Sequence, residues 1–249
     1  MDKLVYTAAT GLKARMASQA AIANNMANAS TIGFRADRVV FDSLQLNGSA
    51  LSTRTTTSES VVDADRKPGA IIQTGRPLDV AVTGDNWIAV QAPDGSEAYT
   101  RRGDLKVAPT GVLETGDGFP VMGSGGPITV PPASSISIGP DGTVSIIPAG
   151  GQAKDAQALD KIKLVSTKGS DTAKGLDNLL HVRGGGVLPD DMDAKVQGGA
   201  LEGSNVDMTQ SLVDMIENQR AYEVQANLMK EAKSMDEDGA SVMRVSQSS

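Results

Sequence analysis

Few side chains in this sequence have the types and spacing that chemistry at a site requires. The chain has 249 residues, no cysteine and a single histidine, His181. Thiolate catalysis and disulfides are therefore excluded, and a histidine-based metal site is not expected. His181 lies between Leu180 and Val182 in a predicted strand, which favours a structural or surface role over a catalytic one.

The remaining candidates for chemistry also lack the required spacing. Asp190, Asp191 and Asp193 do not have the spacing of a calcium loop. The glycine runs at 123–126 and 184–186 lack the lysine and the spacing of a phosphate-binding loop. No serine lies in a nucleophile-elbow sequence. We therefore predict no catalytic residue, no cofactor and no metal, so that a hydrolase is a weak alternative.

Composition limits the partners. The formal net charge is −7 and basic residues cluster only in short pairs, so nucleic acid is not expected as a partner. No apolar run reaches the roughly 18 residues that a membrane-spanning helix needs. The N-terminal segment lacks a basic stretch followed by an apolar one, and we do not expect a cleaved secretory signal.

Proline divides the sequence into two helical ends and a turn-rich middle, because all eleven prolines lie between Pro68 and Pro189. Each end has a stripe with alternating gaps of four and three, which predicts a helix that packs nearly parallel to another. The first stripe is Val5, Ala9, Leu12, Met16, Gln19, Ala23 and Met26; the second is Met208, Leu212, Met215, Gln219, Tyr222, Ala226 and Met229. The stripes predict that the two ends pair; the alternative is two helices that cover separate domains.

Local signals predict where these helices begin and end. Gly33 can take the left-handed turn that terminates the first helix. Ser204 and Asp207 have the spacing of a capping box, which predicts that the second helix runs from Asn205 to about Glu237. The Ser- and Thr-rich stretch from Asn47 to Asp65 predicts a linker or an extended arm.

Tight-turn sequences in the middle predict hairpins. They lie at 93–96, 109–111 and 139–142, each between short apolar segments. A further strand is predicted from Lys161 to Thr167. The predicted fold class is α+β, with long terminal helices packed as a coiled-coil-like pair and a central antiparallel β-rich domain. The predicted domains are an N-terminal helix (1–32), a linker (33–67), a β-rich outer domain (68–200) and a C-terminal helix (201–249).

Two terminal motifs resemble those of a known family. The sequence ANNMANASTIGF at 23–34 is similar to the N-terminal signature of bacterial flagellar basal-body rod and hook proteins. LEGSNVDM at 201–208, followed by QRAYE at 219–223, is similar to their C-terminal signature. The segments GRPLDVAV at 75–82, WIAV at 87–90 and YTRRG at 99–103 resemble the shared β domain. The resemblance covers nearly the whole chain and is nearer to the proximal-rod than to the distal-rod members.

The resemblance implies a structural axial protein and no enzyme. In such proteins the terminal helices form an inner layer that lines an export channel, and the β domain forms the outer layer. The implied partners are copies of the chain, proximal and distal rod proteins and the type III export apparatus. The implied location is the periplasm-spanning rod of the basal body. The alternatives are a distal rod protein and a secreted carbohydrate-binding or adhesive β module. A binding module should have an aromatic platform for its ligand, and aromatic residues make up only 3% of this chain.

The stripes and the two signatures together give the residues expected to carry assembly. They are Leu12, Met16, Gln19, Asn24, Asn25, Asn28, Gly33, Phe34, Ser204, Asn205, Met215, Gln219, Arg220 and Tyr222. Gln219 is expected to pair with Gln19 or with backbone, since a polar group in a seam fixes register. Because the stripes are narrow and rich in alanine, we expect the helices to be disordered in the free monomer.

Overall fold

The computed structural model describes residues 2–45 and 55–246. Helix α1 spans Asp2–Ala27 and helix α2 spans Met208–Ser246. Helix α1 ends close to the predicted position, and Gly33 has the expected left-handed conformation, with φ of +67°. Helix α2 continues through Gly239, beyond its predicted end, since no proline interrupts it.

The start of α2 is set by Asp207 and not by Ser204. The Asp207 carboxylate accepts hydrogen bonds from the backbone N–H groups of Thr209 at 2.8 Å and Gln210 at 3.1 Å. These are two of the donors that the first turn of a helix leaves unpaired. The predicted capping box is therefore wrong, because Ser204 precedes the helix and its Oγ accepts instead from the Val206 N–H at 3.2 Å.

Between the helices the chain forms short strands. They are β1 (Asp37–Gln45), β2 (Thr55–Ala64), β3 (Ile71–Gln73), β4 (Val80–Val82), β5 (Asn86–Gln91), β6 (Glu97–Thr100), β7 (Lys106–Val107), β8 (Leu113–Glu114), β9 (Met122–Gly123), β10 (Gly126–Pro127), β11 (Ala133–Ile138), β12 (Thr143–Pro148), β13 (Gln157–Lys161), β14 (Leu164–Ser166), β15 (Thr172–Lys174), β16 (Leu180–Val182), β17 (Val196–Gly198) and β18 (Ala200–Glu202). A 3₁₀ turn lies at Ala153–Asp155. The predicted linker at 47–65 lies partly outside the described residues, and from Thr55 it forms β2.

The largest sheet has five strands in the order β14-β5-β6-β16-β15, and a second has the order β11-β12-β13. The two-stranded sheets are β1-β2, β10-β9, β17-β4, β18-β3 and β7-β8. The three predicted hairpins are confirmed as the antiparallel pairs β5-β6, β7-β8 and β11-β12. The strand predicted at 161–167 is divided between β13 and β14, and Ile162 and Leu164 are both fully buried.

The strands bury an aliphatic core to which no described side chain of α1 or α2 belongs. Its fully buried members include Val80, Ile88, Val90, Leu105, Leu113, Val121, Ile162 and Leu164. A second cluster surrounds Trp87 and Tyr99. This part of the chain therefore encloses its own core with sheets and turns alone.

The chain divides into two compact units. The helical unit contains Met1–Ala27, Asp37–Val62 and Asp207–Ser249; the β unit contains Asn28–Ala36 and Asp63–Val206. The predicted α+β class is wrong. Among the described residues α-helix occurs only in the terminal pair, strands make up 33% of the structure, and the rest of the chain is a β-rich body. The prediction failed because the β body needs no helix to cover its sheets.

Candidate functional site

In the helical unit, α1 and α2 pack through small and polar residues. Asn218 donates from Nδ2 to the backbone oxygen of Arg15 at 3.0 Å and to Oε1 of Gln19 at 2.8 Å. Toward the other end of the contact, a Cβ on Gly11 would overlap the side-chain amide of Gln225. Because residue numbers rise along α1 as they fall along α2, the pair is antiparallel. The glycine permits close approach, and the amide contacts fix the register.

The contact face of α2 is displaced from the predicted stripe. Asn218 is 6% exposed, whereas its neighbour Gln219 is exposed. Leu212 and Tyr222, which belong to the predicted stripe, are 45% and 40% exposed. Met215 is half-buried. The predicted stripe is therefore not the seam between these two helices, and the expected Gln19–Gln219 pair is replaced by Gln19–Asn218.

Much of the apolar surface of α2 is consequently exposed. Ile216 is 52% and Val224 61% exposed, and Arg220 lies exposed between them. Among the side chains of α2 that the structure describes, the other large apolar ones that are exposed are Met208, Leu212, Val213, Tyr222, Leu228 and Met235. On α1, Met16 is exposed and Leu12 is half-buried. So many exposed apolar side chains on one helix mark a surface that another protein covers.

The contact between the helices leaves one buried polar atom without a partner. Asn218 Oδ1 has no hydrogen bond among the described residues. The orientation of this amide is fixed, because only its N–H can face the Arg15 carbonyl. An unpaired buried acceptor costs about 1–3 kcal/mol. The helix pair is therefore not fully satisfied by its own side chains.

The asparagines at the end of α1 bond to β1 and to the following turn. Asn25 pairs reciprocally with the Asp37 backbone, since its Nδ2 donates to Asp37 O at 3.0 Å and its Oδ1 accepts from Asp37 N at 2.7 Å. Asn24 Nδ2 donates to the Asp37 carboxylate. Asn28 Oδ1 accepts from the hydroxyl of Thr31 at 3.1 Å. Asn24 and Asn25 therefore hold the first strand against the end of the helix.

In the β unit, the segment that follows α1 meets the segment that precedes α2. We call these two segments, 28–36 and 199–206, the terminal joint. The Gly33 N–H donates to Glu202 O at 2.7 Å, and the Asn205 N–H donates to Phe34 O at 3.3 Å. Asn205 Oδ1 accepts from Ala36 N at 2.7 Å, and its Nδ2 donates to Lys67 O at 2.9 Å. The joint thus brings together Gly33, Phe34 and Asn205, three of the residues expected from sequence.

A buried charge cluster lies within this joint. Glu202 is 0% exposed and forms salt bridges to Arg35 at 2.6 Å and to Arg101 at 2.8 Å. It also accepts from the Gly69 N–H at 2.9 Å. The two guanidinium carbons lie 5.8 and 6.0 Å from the centre of the Trp87 ring. One carboxylate thus links both terminal segments to the sheet.

Burial lowers the pKa of both arginines in this cluster. Desolvation lowers the pKa of Arg35, and the Glu202 carboxylate opposes that shift. The pKa of Arg101 is lowered for the same reason, again against Glu202. Both arginines remain charged at neutral pH, since the unperturbed value is far above 7. The cluster therefore depends on Glu202, because removing it would leave two cations buried.

Sequence reasoning missed Arg35, Arg101, Glu202 and Asn218. Glu202 follows two apolar residues in a short buried strand, and an acid in such a position is a signal for a buried ion pair. Asn218 had no comparable signal, because a polar residue beside an apolar stripe ordinarily lies on the exposed face. The structure assigns Gly33, Phe34, Ser204 and Asn205 to the β unit and leaves Gln219, Arg220 and Tyr222 on the exposed surface of α2.

The groups first considered for chemistry have ordinary partners. His181 Nε2 lies 3.0 Å from the Asp177 carboxylate, at the surface of the β unit. Among the described residues, no group of three acidic or histidine side chains could hold a metal ion. In that part of the chain no helix is both long and apolar enough to cross a membrane.

Comparison with known proteins matches three segments of the chain to family models. Residues 5–35 match the family described as "Flagella basal body rod protein". Residues 81–146 match "Flagellar hook protein FlgE/F/G D1 domain", and residues 197–242 match "Flagellar basal body rod FlgEFG protein C-terminal". These segments contain most of α1, the start of α2, all of the terminal joint except Ala36, and two strands of the largest sheet, β5 and β6.

Whole-chain relatives agree with these matches. The chain is 41% identical over 244 residues to flagellar basal-body rod protein FlgF of Salmonella typhimurium, with 96% of each chain covered. Identity and coverage are the same for FlgF of Escherichia coli. Flagellar basal-body rod protein FlgG of Bacillus subtilis is 30% identical over 255 residues, covering 92% of this chain and 94% of the relative.

Proposed function

Because this chain belongs to the flagellar basal-body rod protein family, in which it is a structural subunit of the rod, we propose that it polymerises helically through its terminal helices. Family membership locates it in the flagellar basal body and implies assembly with other rod proteins. In our proposal the assembled helices line the export channel, and the polymer transmits torque across the periplasm. Delivery by the type III export apparatus and the absence of catalytic activity are part of the same proposal.

The observation that carries the proposal is the exposed apolar face of α2. Leu212, Ile216 and Leu228 lie on a helix that already has an intramolecular partner, yet about half of each side chain remains exposed. Covering apolar surface stabilises an assembly by about 25 cal/mol per Å². Since polymerisation through unlike surfaces gives an open helix, neighbouring subunits would bury this face along the rod axis.

Identity favours a position in the proximal rod. The chain is 41% identical to the FlgF relatives and 30% identical to the Bacillus FlgG. The short linker and Trp87 also resemble proximal-rod members. A distal-rod subunit is the second candidate. Measuring which rod proteins this chain binds directly would separate a proximal-rod position from a distal-rod position. No observation favours a carbohydrate-binding module.

The test is to make the exposed face of α2 polar. We expect Ile216→Asp with Leu228→Asp to abolish self-assembly measured by sedimentation and electron microscopy, with the β unit intact by circular dichroism. Leu176→Asp is the matched control, because Leu176 is fully exposed in the β unit. Assembly of the double variant at the concentration at which the unmodified protein assembles would contradict the proposal.

A further inference from the structure

The helical unit has a groove beside the contact of α1 and α2 that its own side chains do not fill. We call it the pair groove. The residues that line it include Ser18 and Ile22 from α1 and Asp214, Glu217, Asn218 and Ala221 from α2. On α2 these four positions follow gaps of three, one and three, so they form one stripe along the helix. We call its apolar lining residues, Ala21, Ile22 and Ala221, the floor, and the carboxylates of Asp214 and Glu217 on α2 the acidic rim.

The charged residues at the groove come from three elements. Arg15 belongs to α1, Asp37 and Arg38 belong to β1, and Asp214 and Glu217 belong to α2. Asp37 Oδ2 already accepts from Asn24 and Asp214 Oδ1 from Gln210. Glu217 is exposed on the α2 rim, next to Asn218, which is buried. The α2 side of the groove therefore offers the Glu217 carboxylate to a cationic donor.

The same helix carries a matching element on its far side. Val213, Ile216, Arg220 and Val224 follow gaps of three, four and four, and all are exposed. We call them the outer stripe. Arg220 lies about 200° around the helix from Asn218, at roughly 100° per residue. The outer stripe thus presents one arginine within an apolar strip, which complements an apolar floor with an acidic rim.

We propose that the outer stripe of a second copy of this chain docks in the pair groove, with its Arg220 bound to Glu217. The inference rests on the proposed function and names the contact through which helices of successive copies meet. Arginine suits the site because its planar group donates five hydrogen bonds and pairs with carboxylates. Groove and stripe are unlike surfaces on one subunit, so each copy offers one free groove and one free stripe to the next, as growth into an open helix requires.

Single cysteines test the contact directly, because the chain has none of its own. Ser18→Cys labels the groove and Val224→Cys labels the outer stripe. When the two proteins are mixed and mildly oxidised, we expect the Ser18–Val224 disulfide to exceed that of a Ser18→Cys and Leu176→Cys mixture by on the order of tenfold, since docking raises the effective concentration of the two thiols. Dominant Val224–Val224 disulfides, which would place two outer stripes face to face, would overturn the inference.

Charge reversal tests the arginine. We expect Arg220→Glu and Glu217→Arg each to raise the concentration at half-assembly by about tenfold, which corresponds to about 1.4 kcal/mol. The double variant should restore assembly, because the pair is then reversed between copies. Lys168→Glu, an exposed reversal in the β unit, is the control and should have no effect.

The outcomes separate this inference from the proposed function. If the chain assembles but the double variant is no better than either single variant, the groove contact is wrong and axial assembly stands. If the unmodified protein remains monomeric at every concentration, self-assembly fails and this contact fails with it. Helicity measured by circular dichroism distinguishes lost docking from a lost helix.

Discussion

Arg35 and Glu202 form a 2.6 Å salt bridge inside the β unit, although 167 positions separate them in the sequence. Arg35 belongs to the segment that follows α1, and Glu202 belongs to the segment that precedes α2. Their contact joins the two segments of the terminal joint inside the β unit.

Replacing Glu202 should destabilise the β unit strongly. We expect Glu202→Gln to lower the free energy of unfolding by about 3–5 kcal/mol, because two buried guanidinium groups lose their counter-charge. Urea denaturation followed by the fluorescence of Trp87, the only tryptophan, would measure this at the cluster itself. Asp171→Asn is the control, since it breaks an exposed pair with Arg183 and should change stability by less than about 1 kcal/mol. A Glu202→Gln effect as small as that of the control would contradict a structural role for the cluster.

Gly33 should be far less tolerant of substitution than Gly75. Both have left-handed backbone conformations, with φ of +67° and +72°. A Cβ on Gly33 would lie 2.5 Å from the Arg101 backbone, whereas one on Gly75 meets nothing within 4 Å. We expect Gly75→Ala to cost about 1–2 kcal/mol from backbone strain alone. Gly33→Ala should cost about 1–3 kcal/mol more, through the clash. Equal losses of unfolding free energy in urea denaturation would contradict this prediction, because the terminal joint would then shift to make room for the added Cβ.

Tyr99 should make stability depend on pH in the alkaline range. Burial raises the pKa of Tyr99 from 10.0 to about 12. The folded state therefore keeps a proton that the unfolded state loses, so this contribution is complete below pH 10 and falls as pH rises from 10 towards 12. The loss should reach about 2–3 kcal/mol. Tyr99→Phe should show a shallower decline over this range, and the difference between the two proteins isolates this residue from other alkaline titrations. Parallel pH profiles would contradict the assignment.

Asn25 should control the order of β1. We expect Asn25→Ala to destabilise the contact between α1 and β1 by about 1–3 kcal/mol, because the Asp37 N–H and carbonyl lose the Asn25 amide. Amide hydrogen exchange at Asp37 should accelerate accordingly. Asn227→Ala makes the same change at an exposed position of α2 and should leave that exchange unchanged. If exchange at Asp37 is equally slow in both variants, the amide pair does not hold the strand.

Local chemistry was sufficient to predict most elements of the fold. The turns at 93–96, 109–111 and 139–142 were found because Pro, Asp and Gly favour turns through short-range geometry alone. The ends of α1 and the conformation at Gly33 were predictable for the same reason. Those features depend only on residues that are neighbours in sequence, and the structure has them at the predicted positions.

Contacts between distant segments could not be predicted in this way. The residue that caps α2 is Asp207 and not the predicted Ser204. Ser204 belongs to the segment of the β unit that Asn205 and Glu202 hold in place. Arg35, Arg101 and Glu202 are widely separated in sequence, and only the folded sheet brings them together. The fold class failed likewise, since only the tertiary structure decided that the β body closes over its own core.

The two helices show most clearly which features the sequence determines and which the tertiary structure decides. By itself, the sequence determined that two amphipathic helices flank a β-rich middle and that the chain has the signatures of its family. Only the tertiary structure decided that Asn218, and not Gln219, faces α1, and that Leu212 and Ile216 face outward. Periodicity identifies which residues share a face, but it does not say whether that face is covered by the same chain or by another. Here Gly11 permits close approach and the amide of Asn218 matches a backbone carbonyl, so α2 buries small, amide and methionine side chains and leaves Leu212 and Ile216 for a neighbour.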